Sequence, residues 1–278
     1  MMFENKTLLI STKHHKEHVI APIFERLGFR CVLNANFDTD ELGTFSGEIE
    51  RTMDPLNTLR AKCHLGLAKH ECDFAIATEG SFGAHPYIPL TAGYEEFIML
   101  VDRNKTMEFV ARSITVTSNF QRQEINNEDD LMAFARTVQF PSHAIIVKNQ
   151  PEHFSFLRKG ISNWGELLSA CNHCMKEYGS VFVETDLRAM NNPTRMKEIK
   201  LLAMKLLDKL KVNCPNCQFP GFDVVNVKPG LPCTVCQFPT ESILAHEYCC
   251  QKCHFMEEKY YPNGKKVETA TYCPKCNP

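Results

Sequence analysis

Four C-x-x-C pairs fall within the last 65 residues of this 278-residue chain: Cys214 with Cys217, Cys233 with Cys236, Cys250 with Cys253, and Cys273 with Cys276. Two residues between cysteines let a tight turn aim both sulfurs at one ion, and four thiolates close the shell of a tetrahedral zinc. The first two pairs stand 15 residues apart and the last two 19. Both gaps suit a zinc ribbon, and a reducing compartment favours metal thiolates over disulfides for this pattern. The spacing predicts two structural Zn2+ ions on these eight cysteines. Pairing in sequential order is the simpler partition; first with third is the other, and Cys249, His246 or His254 could replace a ligand. Catalysis at these ions is not expected, since a catalytic zinc keeps an open position beside three protein ligands.

Charge narrows what this tail can meet. Residues 211–278 hold seven lysines, no arginine and six acids, and two Zn2+ on eight thiolates bring the balance to about −3. The whole chain has a formal net charge of −2. Neither value attracts a phosphate backbone, so nucleic acid is not expected as the primary partner; a protein partner at the ribbons fits better. Phe255, Tyr260 and Tyr261 read as filling of a tiny core that metal supplements. The opening "MMFENKTLLISTKHH" has only Leu8, Leu9 and Ile10 as an apolar run, too short for a secretory segment, and no stretch reaches the about 18 apolar residues of a membrane span. The expected location is the cytoplasm, away from membranes.

The first 190 residues alternate strand-like and helix-like segments. "KTLLIST" reads as a buried strand, and "KEHVIAPIFERLGF" as a helix stopped by Gly28. "RCVLNA", "CDFAIAT", "EEFIMLVDR", "HAIIVK" and "SVFVET" read as strands, and "PLNTLRAKCHLGLAKHE", "NEDDLMAFARTV" and "SNWGELLSACNHCMKE" as helices. The expected fold is α/β, a mixed sheet flanked by helices, with a small C-terminal double zinc-ribbon domain. The expected boundaries are 1–190 for an α/β catalytic domain, 191–211 for a connecting helix capped by Asn192 and started by Pro193, and 212–278 for a zinc-ribbon domain with two four-cysteine sites. Cys31, Cys63 and Cys72 read as inert core thiols, and Cys171 and Cys174 as helix positions rather than a redox pair.

Charged and small residues gather between 40 and 90. Glu48, Glu50 and Arg51 follow a glycine turn, Lys62 lies on a helix, and a buried strand ends at Thr78-Glu79-Gly80-Ser81-Phe82-Gly83. A carboxylate at the carboxyl end of a parallel strand, followed by a glycine-bearing loop, is where α/β sheets place ligands. Such oxygen ligands suit Mg2+ or Mn2+ together with substrate phosphates. Arg51 and Ser81 are then candidates for holding substrate. So are Arg188 and Arg195 of "ETDLRAMNNPTRM", which open a helix where an anion is favoured; the structural alternative is that Glu184 and Asp186 pair with them. His85 reads either as a general base or as a loop histidine in a structural hydrogen bond.

Several of these motifs resemble the inosine triphosphate pyrophosphatase-like superfamily over residues 6–90. Ser11-Thr12-Lys13-His14-His15-Lys16 is similar to that superfamily's first turn, with His14 where an amide is usual. "GEIERTMDPLNTLRAKCHLG" is similar to its acid-bearing helix, and "ATEGSFG" to its acidic loop, with one acid where the relatives often have two. The resemblance implies that Glu79 holds a catalytic metal, that Glu48 or Glu50 assists it or orients water, and that Lys16 and Lys62 bind phosphate. The chain as a whole, through "ETDLRAMNNPTRM" and "NCPNCQFPGFDVVNVKPGLPC", also resembles an uncharacterised bacterial domain-of-unknown-function family with C-terminal zinc ribbons, which implies no activity. The function expected is metal-dependent hydrolysis of a nucleoside triphosphate or a related phosphorylated small molecule. The alternative is a non-enzymatic zinc-ribbon adaptor for protein or nucleic acid, its α/β half a ligand sensor.

Overall fold

A computed structural model describes residues 2–33, 53–85, 88, 92–104, 106–116 and 119–278. Glu48, Glu50 and Arg51 lie outside the described residues. The chain divides into two compact units, Met1–Leu206 and Leu207–Pro278.

The first unit opens with β1 (Thr7–Ile10), α1 (Glu17–Phe24), β2 (Arg30–Leu33), α2 (Pro55–Lys69), β3 (Phe74–Ala84), β4 (Ala92–Asp102) and β5 (Glu108–Thr115). These strands form one mixed sheet in the order β2-β1-β3-β4-β5, with β1 parallel to β2 and β3, and the β3–β4 and β4–β5 pairs antiparallel. Leu8, Leu9 and Ile10 are all buried, as expected of a strand covered on both faces. Asp54 caps α2 by accepting hydrogen bonds from the Leu56 and Asn57 amides, ahead of Pro55 in the first turn. Leu59, Cys63 and Leu67 of α2 pack on Leu9, Ala75, Ala77, Phe97 and Met99. At Gly66 the helix comes so close to β1 that a Cβ would stand 2.8 Å from Leu9 Cδ2. Ser11 Oγ, just past β1, donates to the Lys62 carbonyl at 2.8 Å, so the end of β1 fixes the turn of α2 that carries Lys62.

β3 runs further than the sequence suggests. Thr78-Glu79-Gly80-Ser81-Phe82-Gly83 is not a strand end followed by a loop but the second half of an 11-residue strand. β4 supplies a partner opposite every one of these residues, from Thr78 against Ile98 to Gly83 against Gly93. β1 pairs only with Phe74–Ile76, so Thr78 and Glu79 still lie beyond its carboxyl end.

The rest of the unit comprises β6 (Arg122–Glu124), α3 (Glu128–Thr137), β7 (Ile145–Lys148), β8 (Leu157–Ile161), α4 (Trp164–Tyr178), β9 (Phe182–Thr185) and the start of α5 (Pro193–Lys211). Its strands form a second sheet, β6-β9-β7-β8, with every pair antiparallel. Strand–helix alternation suggests one sheet for this whole region. The β7–β8 hairpin reverses the chain, and α4 then carries it across β7, so β8 and β9 flank β7 on either side. Leu131 and Phe134 of α3 and Leu167, Cys171 and Cys174 of α4 share a core with Ile145, Val147, Ile161 and Val183. Burial pushes the Cys171 thiol up to about 12, which agrees with a packing role rather than redox chemistry. Asn192 Oδ1 accepts from the Arg195 amide at 2.9 Å, capping α5. Among the described residues no helix is long and apolar enough to cross a membrane.

The second unit is built on a three-stranded antiparallel sheet of β10 (Asp223–Pro229), β11 (Ile243–Cys249) and β12 (Met256–Tyr260).

Candidate functional sites

Past the carboxyl end of β1 the first unit buries five ionisable side chains of mixed sign. Lys16, Lys62, Glu79, Glu96 and Arg195 are each less than a tenth exposed, as are Thr78 and Tyr94 beside them. Alternation along β3 and β4 divides them between the sheet faces. Glu79 shares the α2 face with Ala75 and Ala77 and receives Lys62 Nζ at 2.5 Å. On the opposite face Lys16 Nζ donates to Thr78 Oγ1 at 2.8 Å. Glu96 stands opposite Gly80, which offers no side chain to crowd it. Arg195 grips Glu96 with Nε at 3.1 Å and Nη2 at 3.2 Å, and donates Nη1 to the Leu187 carbonyl at 2.6 Å. The Tyr94 hydroxyl donates to the same Glu96 carboxylate.

The electrostatics are unbalanced toward positive charge. Lys62 and Arg195 each have a carboxylate, whereas Lys16 makes no ion pair among the described residues and has only a hydroxyl. Burial, aided by the nearby Arg195 and opposed by Glu96, lowers the Lys16 ammonium from 10.5 to about 7. Burial lowers Arg195 as well, but Glu96 and Tyr94 outweigh it and hold the guanidinium protonated. Thr12 Oγ1, in the turn between β1 and α1, is buried without a hydrogen-bond partner among the described residues. Because the folded chain disfavours the charged form of Lys16, the cost is fully present below about pH 7 and is relieved as pH rises toward 10.5, where the unfolded lysine also loses its proton. Lys16→Met should therefore stabilise the protein most near pH 6 and progressively less toward about pH 10. Urea midpoints at the two pH values check this, and an equal gain at both contradicts it.

The sequence-selected residues Lys16, Lys62, Glu79 and Arg195 thus come together. Ser81 lies on β3 opposite Glu95. Arg188 is engaged elsewhere: its guanidinium holds Asp186 at 2.6 Å, and Asn191 donates to the same carboxylate at 2.7 Å. Glu184 pairs with Lys148 at 2.7 Å and Arg195 with Glu96, so of the four residues in the structural alternative only Asp186 and Arg188 meet in these contacts. His85 Nδ1 accepts from the Ile88 amide at 3.0 Å, the structural alternative. Sequence reasoning does not find Glu96 or Tyr94. Alternation in "GYEEFIML" gives no signal, since Glu95 is in phase with the buried Phe97 and Met99 and Glu96 with the buried Ile98 and Leu100.

Glu48 and Glu50, two of the three carboxylates expected to serve Mg2+ or Mn2+, lie outside the described residues. Glu79 and Glu96 are each already satisfied by a cation, and among the described residues no group of three or more candidate ligands includes either of them.

In the second unit the eight cysteines form two tetrads, Cys214-Cys217-Cys250-Cys253 and Cys233-Cys236-Cys273-Cys276. The sequential partition does not hold; first pairs with third and second with fourth. The antiparallel sheet is the reason. Asp223 at the start of β10 lies opposite Cys249 at the end of β11, which brings the third knuckle to the first. At the other end Pro229 lies opposite Ile243, and a parallel bridge from Cys233 to Glu268 brings the fourth knuckle to the second. Sulfur–sulfur separations across the tetrads are 3.7 and 3.6 Å in the first and 4.0 and 3.6 Å in the second. Tetrahedral zinc with bonds of about 2.3 Å requires about 3.8 Å, against about 2.05 Å for a disulfide. The donor set and spacing therefore fit zinc.

Three knuckles repeat one turn. The residue after the second cysteine (Gln218, Gln237 or His254) takes a positive φ of 58–60°. Its amide donates to the first cysteine's carbonyl at 2.9–3.0 Å, and the first cysteine's amide donates to a phenylalanine carbonyl two residues past the second. Backbone amides favour the thiolate at two positions, Phe255 at Cys253 and Cys236 at Cys233, while neighbouring thiols push Cys217 and Cys276 the other way. Cys249, His246 and His254 belong to neither tetrad.

A mixed α/β unit with a buried cationic cluster, carried with two cysteine tetrads suited to zinc, defines the class of this protein. The chain belongs to the family described as domain of unknown function DUF6671, whose model matches residues 62–278. The match takes in Lys62, Glu79, Glu96, Arg195 and all eight tetrad cysteines. A search of curated proteins found no match.

Proposed function

We propose that the first unit binds a nucleoside triphosphate or a related phosphorylated small molecule and hydrolyses its phosphoanhydride, while two zinc ions hold the second unit together. One observation carries the reading: Lys16 is a buried cation without a counter-ion among the described residues, in a cluster whose other two cations are only just balanced. Burying an uncompensated ammonium is costly, and an anionic oxygen between Lys16 and Arg195, which share a sheet face, would offset that cost, with a further oxygen of the same ligand reaching Lys62 past the end of β1. A phosphate there competes with Glu79 for Lys62. The carboxylate so released accepts a proton from water as the water oxygen attacks phosphorus, and the bridging oxygen leaves with phosphate or pyrophosphate. Any Mg2+ or Mn2+ enters as part of the nucleotide complex.

Glu79→Gln keeps the size of the side chain and an oxygen for Lys62 but removes the base. It should lower stability, because the buried Lys62 loses its carboxylate, and the variant that remains folded should lose at least about 100-fold of turnover. The assay is phosphate and pyrophosphate release from standard and deaminated nucleoside triphosphates with Mg2+ or Mn2+. Equal turnover in the folded variant would remove Glu79 from the chemistry.

The adaptor reading is favoured by a different observation. The second unit exposes Val235, Tyr272, Val225 and Met256, each at 60% or more, apolar side chains that a protein partner would cover more readily than nucleic acid. Absence of turnover with every nucleotide would move the weight to it.

A further inference from the structure

We infer that His15, Glu17 and His18 form a third metal site, at the surface where β1 passes into α1, for a divalent transition ion that favours imidazole. The three side chains place one ligand atom each within 4.8 Å of one another. Glu17 Oε1 is 3.6 Å from His15 Nδ1 and 3.7 Å from His18 Nε2. Ions with bonds of about 2.1 Å bring tetrahedral ligands to about 3.4 Å, so the two glutamate–histidine edges need close by only a few tenths of an ångström.

The backbone is shaped for this grouping. His14 and His15 adopt φ of 69° and 59°, a left-handed conformation uncommon outside glycine and doubly so in succession. That turn sets His15 over the first turn of α1, where the His18 amide donates to the His15 carbonyl at 3.2 Å. His15 and His18, three positions apart, then stack with ring centroids 5.5 Å apart and planes at 19°. The imidazoles are 64% and 73% exposed and Glu17 is 19% exposed, so two nitrogen lone pairs and a carboxylate converge where an ion can arrive from solvent. The positive end of α1 opposes a cation there, and the Glu17 charge offsets it.

Two imidazoles and one carboxylate suit zinc, nickel or ferrous iron, not magnesium. Three protein ligands leave positions open to water or an anion, unlike the closed cysteine tetrads. This site is separate from the buried cluster, because Lys16 turns inward while its neighbours face solvent, and it does not depend on the hydrolase reading.

The test is total metal content of the full chain after equilibrium dialysis with the tetrads zinc-loaded and micromolar free Ni2+ present. Wild type should hold one equivalent more than His15→Ala/His18→Ala, and Glu17→Gln should weaken that extra equivalent by at least tenfold. Paramagnetic broadening by Ni2+ should be confined to the His15 and His18 ring signals. An equal metal count in wild type and the double variant, or broadening centred on other histidines, overturns the inference. Since both imidazoles are exposed, the variants should fold as wild type does, which circular dichroism checks.

Discussion

Chelating metal from the full chain at neutral pH should unfold residues 207–278, and substituting one cysteine should release metal from both tetrads rather than one. The tetrads are interleaved: the chain leaves the first along β10, passes through the second, returns along β11, and reaches the second again after β12. No stretch of the unit belongs to one site alone. The unit's own core is small, with Phe219, Phe222, Leu231 and Ala245 among its few buried apolar residues. Units of this size that rely on structural zinc fold only with the metal bound. Cys250→Ser should therefore abolish the dispersed amide signals of the unit and take bound zinc from two equivalents to fewer than one. A variant that keeps a full equivalent on the Cys233 tetrad, with β10 and β11 still paired, contradicts the coupling.

The second large effect lies at Glu96. This side chain is fully buried and accepts both arms of Arg195 and the Tyr94 hydroxyl. Glu96→Gln removes the negative charge that this guanidinium faces, and an uncompensated buried charge costs about 3–5 kcal/mol. Glu96→Gln/Arg195→Met, which removes both charges, should recover part of that loss. By contrast Glu108→Gln, which breaks the half-exposed pair with Arg60 at 2.7 Å, should cost no more than about 1 kcal/mol. Urea midpoints for the three variants measure the difference. A Glu96→Gln midpoint close to that of Glu108→Gln would show that water or backbone already compensates Arg195.

Local chemistry made much of this protein legible in its sequence. Gly28 ends the first helical stretch in a left-handed turn with φ of 88°, and Asn192 with Pro193 opens α5; both are decided by neighbouring residues. The knuckles were legible for the same reason. What was not legible depends on strand direction or long separation. The tetrad partition follows from β10 and β11 running antiparallel. The second sheet follows from the β7–β8 hairpin. Glu96 finds Arg195 99 positions away, and nothing near "GYEEFIML" distinguishes its two glutamates. His15 reads as part of a turn and His18 as part of the helix after it, since the positive φ values at His14 and His15 that bring the two rings together have no local sequence signature without glycine.

The claim that the buried cluster receives a phosphorylated ligand is tested most directly by calorimetric titration of pyrophosphate into the full chain, wild type against Lys16→Met. Lys16 is the cation with no counter-ion among the described residues, so its loss should weaken binding at least tenfold while the Lys62–Glu79 and Arg195–Glu96 pairs keep the fold. Measurable binding to wild type that is lost in the folded variant is the result this structure predicts. No binding to wild type, or equal binding to both, would mean that the cluster is a structural network and not a ligand site.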